Sequence, residues 1–216
     1  MKLFLMLPLV LSFYFTTCNS ARVDSNSSPS QKNEKSKDTS GKHYFIDVHD
    51  LEPGNVTLND VAAAHQKHRA TENKYDLNFI RFRVDERKGK VYCLSSAKDT
   101  RPIIHTHTEA HGLLASSIFK VSMSSQGNVI DGMPLFIDIH NDVHKSPNAA
   151  LIEKAYSENF SVQKKYGINF INYWADAKTG TFFCLSQAPD TTAIIFAHRE
   201  AHGLTPQTIL EVKQVE

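Results

Sequence analysis

The sequence contains few of the residues and motifs on which several common protein classes depend. Its 216 residues include three cysteines, too few for a disulfide-stabilised scaffold, and no Cys-x-x-Cys pair that would indicate thiol redox chemistry. It has neither a glycine-rich phosphate loop nor a Gly-x-Ser-x-Gly motif, so nucleotide binding and serine hydrolysis have no support. The 24 Lys and Arg residues balance 23 Asp and Glu residues, which excludes a strongly basic nucleic-acid-binding protein.

Aromatic and imidazole side chains, in contrast, are abundant. Thirteen phenylalanines and seven tyrosines contribute to an apolar fraction of 41%, which is typical of a globular protein with a sizeable core. All eleven histidines follow residue 42, so chemistry that depends on imidazole is confined to the part of the chain with a globular composition.

The N-terminal segment, residues 1–20, has the composition of an export signal. A single lysine precedes the apolar run of residues 3–15, which is shorter than the roughly 20 residues that span a bilayer. Cys18 lies where bacterial lipoproteins carry a lipidated cysteine, and cleavage after Ser20 without lipidation is the alternative. Residues 21–42 contain almost no apolar side chains and predict a disordered tether. We expect an exported protein that is periplasmic or envelope-anchored as a lipoprotein, with the lipid as its only membrane contact.

The remainder of the chain consists of two tandem copies of one module. With a constant offset and no gap, residues 44–122 align with residues 135–213, and about a third of the aligned positions are identical. A duplication of this length predicts two domains, at residues 43–122 and 135–216. The intervening residues 123–134 contain glycine and serine and predict a linker.

Each module has the pattern of a β-α-β-β-α-β unit. Residues 44–49 alternate in polarity and are rich in β-branched and aromatic side chains, which favours a strand, and residues 58–75 carry a helical stripe. Residues 79–85 and 90–97 predict a hairpin, and a second helix and a last strand follow. This order is typical of the split, ferredoxin-like architecture. The sequence therefore predicts an α+β fold of two tandem ferredoxin-like units that pack as a pseudo-dimer.

A histidine pair occupies the second predicted helix of each module. His107 and His111, like His198 and His202, are four residues apart, so both rings of a pair lie on one face and can reach one ion. The intervening Glu109 projects from the opposite side and is not expected to share the site. The alternative is that these histidines stabilise the end of the helix without a ligand.

An Asp-x-His pair on the first predicted strand also recurs. Asp47 with His49, and Asp138 with His140, are two residues apart, so both side chains of a pair face the same side of the sheet. A carboxylate and an imidazole side by side in a central strand are costly to bury unless they are partnered or bind a ligand. A local hydrogen bond between the two side chains is the alternative, since a duplication copies a structural pair as well.

The remaining candidates differ between the modules or have a simpler explanation. His65, on the first predicted helix, is a candidate ligand in the first module only, because Tyr156 stands at the aligned position. If His65 contributes, the two sites cannot be equivalent. Cys93 and Cys184 align in a strand that is expected to be interior, and we interpret them as small buried hydrophobic residues. A disulfide between them would require Cα atoms within about 7 Å.

The repeated strings resemble a known family. FIDVH and FIDIH, KYDLNFI and KYGINFI, YCLS and FCLS, and above all H-x-E-A-H-G-L are similar to those of the small bacterial nickel-binding proteins of ferredoxin-like fold, long listed only as a domain of unknown function. The resemblance covers each module almost end to end. Members of that family are usually single modules that dimerise, so this chain resembles a fused dimer. The resemblance implies a metal site that draws on the two histidine pairs, together with the Asp-x-His pairs.

Three functions are compatible with these patterns. The favoured one is an exported protein, not an enzyme, that binds a divalent metal ion through histidines in both modules, and the resemblance favours Ni(II). Nitrogen and oxygen donors suit Zn(II) and Cu(II) as well. The second is an enzyme of the dimeric α/β-barrel kind that uses a His/Asp pair as acid and base. The third is an envelope interaction module with structural histidines.

Overall fold

The computed structural model describes residues 41–124, 127–141 and 149–214, which include most of both repeats. The expected signal peptide, the tether and Cys18 lie outside the described residues. Within the described part of the chain, no helix combines the length and the apolar composition needed to cross a bilayer.

Both repeats fold as the predicted β-α-β-β-α-β units. The first contains β1 (His43–Asp50), α1 (Leu58–Thr71), a 3-10 turn (Glu72–Tyr75), β2 (Asn78–Asp85), β3 (Lys90–Ala97), α2 (Arg101–Ala110) and β4 (Ser117–Met123). The second contains β5 (Leu135–His140), α3 (Ala149–Tyr166), β6 (Asn169–Asp176), β7 (Thr181–Gln187), α4 (Thr191–Ala201) and β8 (Thr208–Val212). The helix predicted over residues 58–75 therefore ends earlier, at Thr71, and continues as the 3-10 turn.

Helix α1 begins at a capping box. Oγ1 of Thr57 accepts a hydrogen bond from the backbone N–H of Asp60 at 3.2 Å, and the Asp60 carboxylate accepts one from the N–H of Thr57 at 2.9 Å. Val61 and His68, two turns apart, are the residues that α1 buries. Because the cap sets where the helix starts, it also sets the face on which His68 lies.

Helices α2 and α4 end at glycines. Gly112 and Gly203 have φ angles of 74° and 79°, a left-handed conformation that glycine adopts without strain. The N–H of Gly112 donates to the carbonyl of His107 at 2.9 Å, and the N–H of Gly203 donates to the carbonyl of His198 at 3.1 Å. Each histidine pair therefore lies at the C-terminal end of its helix, where the chain reverses.

The eight strands of the described residues form one antiparallel sheet in the order β2-β3-β1-β4-β6-β7-β5-β8. The strands of the two repeats do not interleave, and the repeats join where β4 pairs with β6, for example at Ser122 and Ala175. The outer strands β2 and β8 also meet, because the backbones of Val84 and Lys213 exchange two hydrogen bonds of 2.9 Å. The sheet therefore closes on itself, and the repeats form a pseudo-dimer within one chain.

The closed sheet has one hydrophobic core on its inner face and others between its outer face and the helices. Its inner face holds apolar side chains from both repeats, and Trp174 and Phe183 among them are 1% and 2% exposed. Its outer face packs against the helices, as Phe45 on β1 does against Ile103 on α2. Since alternate residues of a strand share a face, Asp47 lies on the same outer face as Phe45, between the sheet and the helices.

Candidate metal centre

The first repeat brings together three polar side chains from two different elements. Asp47 and His49 project from β1, and His107 reaches them from the last turn of α2. Oδ2 of Asp47 lies 3.2 Å from Nε2 of His49 and 3.3 Å from Nε2 of His107, and the two nitrogens are 3.1 Å apart. Asp47 is fully buried, and neither ring is more than 5% exposed. We call these three side chains the repeat 1 triangle.

The dimensions of this triangle fit a divalent cation. Ligand atoms that lie about 2.0–2.1 Å from a tetrahedrally coordinated ion are about 3.3 Å from one another, close to the three observed edges. Both carboxylate oxygens of Asp47 are buried without a well-aligned hydrogen bond, and the two imidazoles stand at ion-pair distance. A buried carboxylate in this state is costly, and a cation beside it would remove that cost.

The orientation of His107 suits ligation. Its Nδ1 donates a hydrogen bond to the backbone carbonyl of Ile103 at 2.7 Å, which assigns the proton of the neutral ring to Nδ1. The lone pair of the neutral ring is then on Nε2, which faces Asp47. Metal-binding histidines commonly have their tautomer held by a carbonyl or a carboxylate in this way.

The side chains of the repeat 1 triangle also shift one another's pKa values. Burial alone would raise the pKa of Asp47, but the adjacent imidazoles of His107 and His49 outweigh it and lower that pKa. Burial would lower the pKa of His107, but the Asp47 carboxylate outweighs it and raises that pKa above its ordinary value. A metal ion that binds here therefore competes with a proton for Nε2 of His107.

A second pair of histidines lies beside the triangle. Nε2 of His68, on α1, is 2.6 Å from Nε2 of His111, which directly follows α2. Nδ1 of His111 accepts a hydrogen bond from the N–H of Leu113 at 3.0 Å, so the neutral His111 ring carries its proton on Nε2. His68, His107 and His111 each offer a nitrogen within 4.8 Å of the others. Four imidazoles and one carboxylate thus converge in the first repeat.

The sequence pattern indicated His65 as the ligand on α1, but the structure brings His68 to the other histidines instead. The ring of His65 packs against Phe79 and Phe82, with ring centres 5.3 Å and 5.1 Å away. The signal that identifies His68 is its spacing of two turns from Val61, which puts both residues on the buried face of α1.

The second repeat contains an equivalent group, the repeat 2 triangle. Oδ1 of Asp138, on β5, lies 3.1 Å from Nε2 of His140 and 3.3 Å from Nε2 of His198, on α4. Asp138 and His198 are fully buried, and Oδ2 of Asp138 has no hydrogen-bond partner. Burial opposes ionisation of Asp138, but the two rings outweigh it and lower its pKa.

The last histidine of the second repeat, His202, has a different partner from its counterpart in the first. Asn159 stands where the first repeat has His68, and Nε2 of His202 lies 3.2 Å from Nδ1 of His198. Nδ1 of His202 accepts a hydrogen bond from the N–H of Leu204 at 3.2 Å, so the neutral ring donates its Nε2 proton to His198. The neutral His198 ring then accepts on Nδ1 and carries its proton on Nε2, toward Asp138, which is the opposite tautomer from His107. Metal binding through Nε2 of His198 therefore requires the other tautomer of this ring.

The two aligned cysteines are free and buried, as interpreted from the sequence. Each thiol lies near the carboxylate of its repeat, with a sulfur-to-oxygen distance within 4.8 Å for Cys93 with Asp47 and for Cys184 with Asp138. Burial, together with that carboxylate, raises the pKa of both thiols well above the ordinary value. A thiol that stays protonated is a poor nucleophile, so cysteine catalysis has no support here.

Each triangle borders a cavity under the first helix of its repeat. The repeat 1 cavity has a volume of about 290 Å³, and the histidines that line it are His49, His65, His68 and His111. The repeat 2 cavity has a volume of about 260 Å³, and its polar lining includes His140, Tyr156, Asn159, His198 and His202. The two cavities are thus similar in size but differ in the number of imidazoles.

Glu109 points away from the site, as its helical position predicts. Its carboxylate accepts hydrogen bonds from Lys74, at 2.6 Å, and from Tyr75. Glu200 has the equivalent partners in the second repeat. Exposed ion pairs of this kind contribute little to stability, which makes Glu109 a suitable control position.

Comparison with known proteins accounts for the repeated module. Residues 45–121 and residues 136–212 each match the family described as nickel responsive protein SCO4226-like. The chain belongs to this family. Since each match covers one β-α-β-β-α-β unit, this SCO4226-like protein carries the family module twice. A search of curated protein sequences finds no match.

Several solved structures are similar to the chain. SCO4226 from Streptomyces coelicolor A3(2) is 29% identical with a TM-score of 0.36, and the alignment covers 38% of this chain and 99% of that one. A heme-binding protein from Thermus thermophilus is 10% identical with a TM-score of 0.44, over 81% of this chain and 92% of that one. TA0507, a candidate chlorite dismutase, is 13% identical with a TM-score of 0.44, over 81% and 94%.

Proposed function

We propose that this SCO4226-like protein binds divalent metal ions, one in each repeat, and that Ni(II) is the favoured ion. The observation that carries the proposal is the pair of buried triangles, in each of which a carboxylate oxygen lies within 3.3 Å of two imidazole nitrogens. In the described part of the chain, each carboxylate also has an oxygen without a hydrogen-bond partner. The chemistry of the donors and the family description point in the same direction.

The donor set narrows the choice of metal without deciding it. Imidazole and carboxylate ligands suit Ni(II), Zn(II) and Cu(II). The intrinsic order of affinity places Cu(II) above Ni(II), so the preference for nickel rests on the description of the family and not on the donors. Zn(II) and Cu(II) are therefore the competitors against which Ni(II) has to be compared.

The residues of each triangle have distinct tasks in this proposal. Asp47 supplies negative charge to compensate a cation, and the Ile103 carbonyl keeps Nε2 of His107 directed at Asp47. His107 loses its proton, because only the neutral ring has a lone pair to offer. A bound divalent ion supplies charge compensation and Lewis acidity at this buried position.

Removal of one histidine from a triangle should remove one ion. Equilibrium dialysis of the full chain against Ni(II) at pH 7.5, followed by metal analysis, should find two ions per chain. His107→Ala and His198→Ala should each leave one ion and weaken the altered site by at least about 100-fold, since even outer partners of metal ligands contribute about 10–100-fold. The control variant Glu109→Gln should retain both ions.

The same experiment distinguishes the other two functions. A wild-type chain that binds none of the three metals at pH 7.5 contradicts the proposal and supports structural histidines. Metal content that is unchanged in both histidine variants contradicts the assignment of the triangles. Turnover that needs the Asp/His pairs and no metal would support an acid–base enzyme instead.

We propose further that the protein is exported and held at the envelope by a lipid on Cys18. The support is the composition of residues 1–20, with one lysine before a short apolar run. Cell fractionation should find the wild type with the membranes and Cys18→Ser soluble in the periplasm. Equal solubility of the two proteins in the periplasm would contradict lipidation, and retention of both in the cytoplasm would contradict export.

A further inference from the structure

The two repeats differ in the helix that covers each cavity. Where α1 carries His65 and His68, the aligned positions of α3 are Tyr156 and Asn159. His68 stands 2.6 Å from His111 beside the repeat 1 triangle. Residues 149–166, which form α3, include no histidine, so this helix offers no imidazole to the repeat 2 triangle.

Asn159 gives the repeat 2 cavity a buried hydrogen-bond acceptor. The residue is 2% exposed, it lines the repeat 2 cavity, and its Oδ1 has no hydrogen-bond partner. A buried amide oxygen without a donor is costly, and an occupant of the cavity that carries an N–H or O–H group would satisfy it. His140 and His198 line the same cavity. One occupant can therefore reach both the amide and the proposed metal ligands.

Metal sites in proteins divide along the same line. Closed zinc sites have four protein ligands, whereas zinc sites that bind external molecules have three protein ligands and one open position. The first repeat corresponds to the closed kind, because His68 and His111 lie beside its triangle. Both triangles border a cavity of similar volume, and the second repeat corresponds to the open kind because Asn159 lines its cavity where His68 lines the cavity of the first repeat.

Two other donors of the second repeat do not change this difference. His202 is engaged by the N–H of Leu204 on one ring nitrogen and by His198 on the other. The sulfur of Cys184 lies within 4.8 Å of donor atoms of Asp138, His140 and His198, and Cys93 is equally close to donor atoms of Asp47 and His49, so a thiol lies beside the triangle in both repeats. Neither residue accounts for a difference between the repeats, whereas the exchange of His68 for Asn159 does.

We propose that the metal ion of the second repeat keeps a coordination position for a small external ligand, and that the first repeat closes this position with His68. The ligand has a nitrogen or oxygen lone pair for the metal and an N–H or O–H group for Oδ1 of Asn159. Azoles, amines and alcohols belong to this class. The inference rests on the metal-binding function proposed above, and its test is separate from the test of that function.

Imidazole is the probe, because it is the group that the second repeat lacks. The full chain is loaded with two Co(II) ions, whose visible absorption reports the coordination number, and is then titrated with imidazole. We expect a saturable change at one of the two ions. Asn159→His should abolish the change, and His68→Asn should make the second ion respond as well. Metal analysis after each titration verifies that imidazole has not removed the ions.

The outcomes separate this proposal from the function on which it rests. A wild-type chain that retains two Co(II) ions without responding to imidazole overturns the proposal and leaves metal binding intact. The proposal is also overturned if the absorption change with imidazole is the same in wild type, Asn159→His and His68→Asn. A chain that binds neither Co(II) nor Ni(II) contradicts the metal-binding function itself. Circular dichroism verifies the fold of both variants, and either variant alone suffices for the test.

A third variant isolates the role of the amide. Asn159→Ala should keep both ions and weaken imidazole binding by about 2–10-fold, the effect of one lost hydrogen bond. Loss of one ion from this variant would show that Asn159 is itself a metal ligand, and would overturn the open position.

Discussion

Ni(II) at about a hundred times its dissociation constant should raise the melting midpoint of the apoprotein at pH 7.5 by about 5–11 °C for each occupied site. At this concentration a ligand stabilises the native state by about 2.7 kcal/mol. For a domain of about 150–250 residues, 1 kcal/mol corresponds to about 2–4 °C. Thermal unfolding with Ni(II) and with chelator measures the difference.

The metal-dependent shift should become smaller as the pH falls. His107 must be neutral to ligate, and Asp47 raises its pKa above the ordinary value of 6.5, so protons already compete with the metal near neutral pH. Burial and neighbouring histidine charges lower the pKa values of His68 to about 3 and of His111 and His202 to about 4. Because those three rings stay neutral, proton competition in the first repeat acts at His107. The shift should be clear at pH 7.5 and small at pH 5.

The stability of the apoprotein has its own pH dependence and serves as the reference at each pH. The raised pKa of His107 contributes stability that is fully present below pH 6.5 and is lost as the pH rises through the folded pKa. The lowered pKa of His68 contributes stability that is present above pH 6.5 and is lost as the pH falls toward about 3. The two contributions have opposite signs, so the nickel effect has to be measured against apoprotein at the same pH.

Substitutions should identify which histidines are responsible for the metal-dependent rise in the melting midpoint. His111→Ala and His202→Ala should have unequal effects, an inequality that the sequence attributes to His65 and the structure to His68. His68→Ala should reduce the shift, whereas the aligned Asn159→Ala should leave it unchanged. A midpoint that does not respond to any of the three metals at pH 7.5 would mean that these histidines have a structural role.

Trp174→Ala should lower the free energy of unfolding by about 3–5 kcal/mol, the usual cost of truncating a large buried aromatic side chain. The residue is 1% exposed on the inner face of the sheet, and the guanidinium carbon of Arg83 lies 5.2 Å from its ring centre. The ring therefore joins residues of both repeats. Because Trp174 is the only tryptophan, the measurement is urea unfolding followed by far-UV circular dichroism rather than by fluorescence.

The shape of the transition is as informative as its midpoint. Since one inner core contains side chains from both repeats, wild type and variant should each unfold in a single step. Leu114→Ala is the control, because this side chain is 54% exposed and its truncation should change stability by no more than about 0.5 kcal/mol. Two separate transitions, with only the second affected by Trp174→Ala, would contradict the shared core.

Much of this architecture could be inferred from the sequence because its determinants are local. Alternation along β1 puts Asp47 and His49 on one face, and a helical spacing of four puts His107 and His111 on one side of α2. The cap at Thr57 is likewise set by residues three apart. Because the module is duplicated, the same local spacings recur in the second repeat. The positions of its Asp-x-His pair and its histidine pair therefore follow from those of the first.

The composition of the site depended on contacts between segments that are distant in the chain. His65 and His68 share a helix, and the spacing of His68 from Val61 only makes it a candidate for the buried face; which of the two reaches His111 is decided by how α1 is rotated against the sheet. The closure of the sheet between Val84 and Lys213 is likewise a contact between the two repeats. Such contacts form only when apolar surfaces of both repeats are buried together, and that burial is a property of the whole fold.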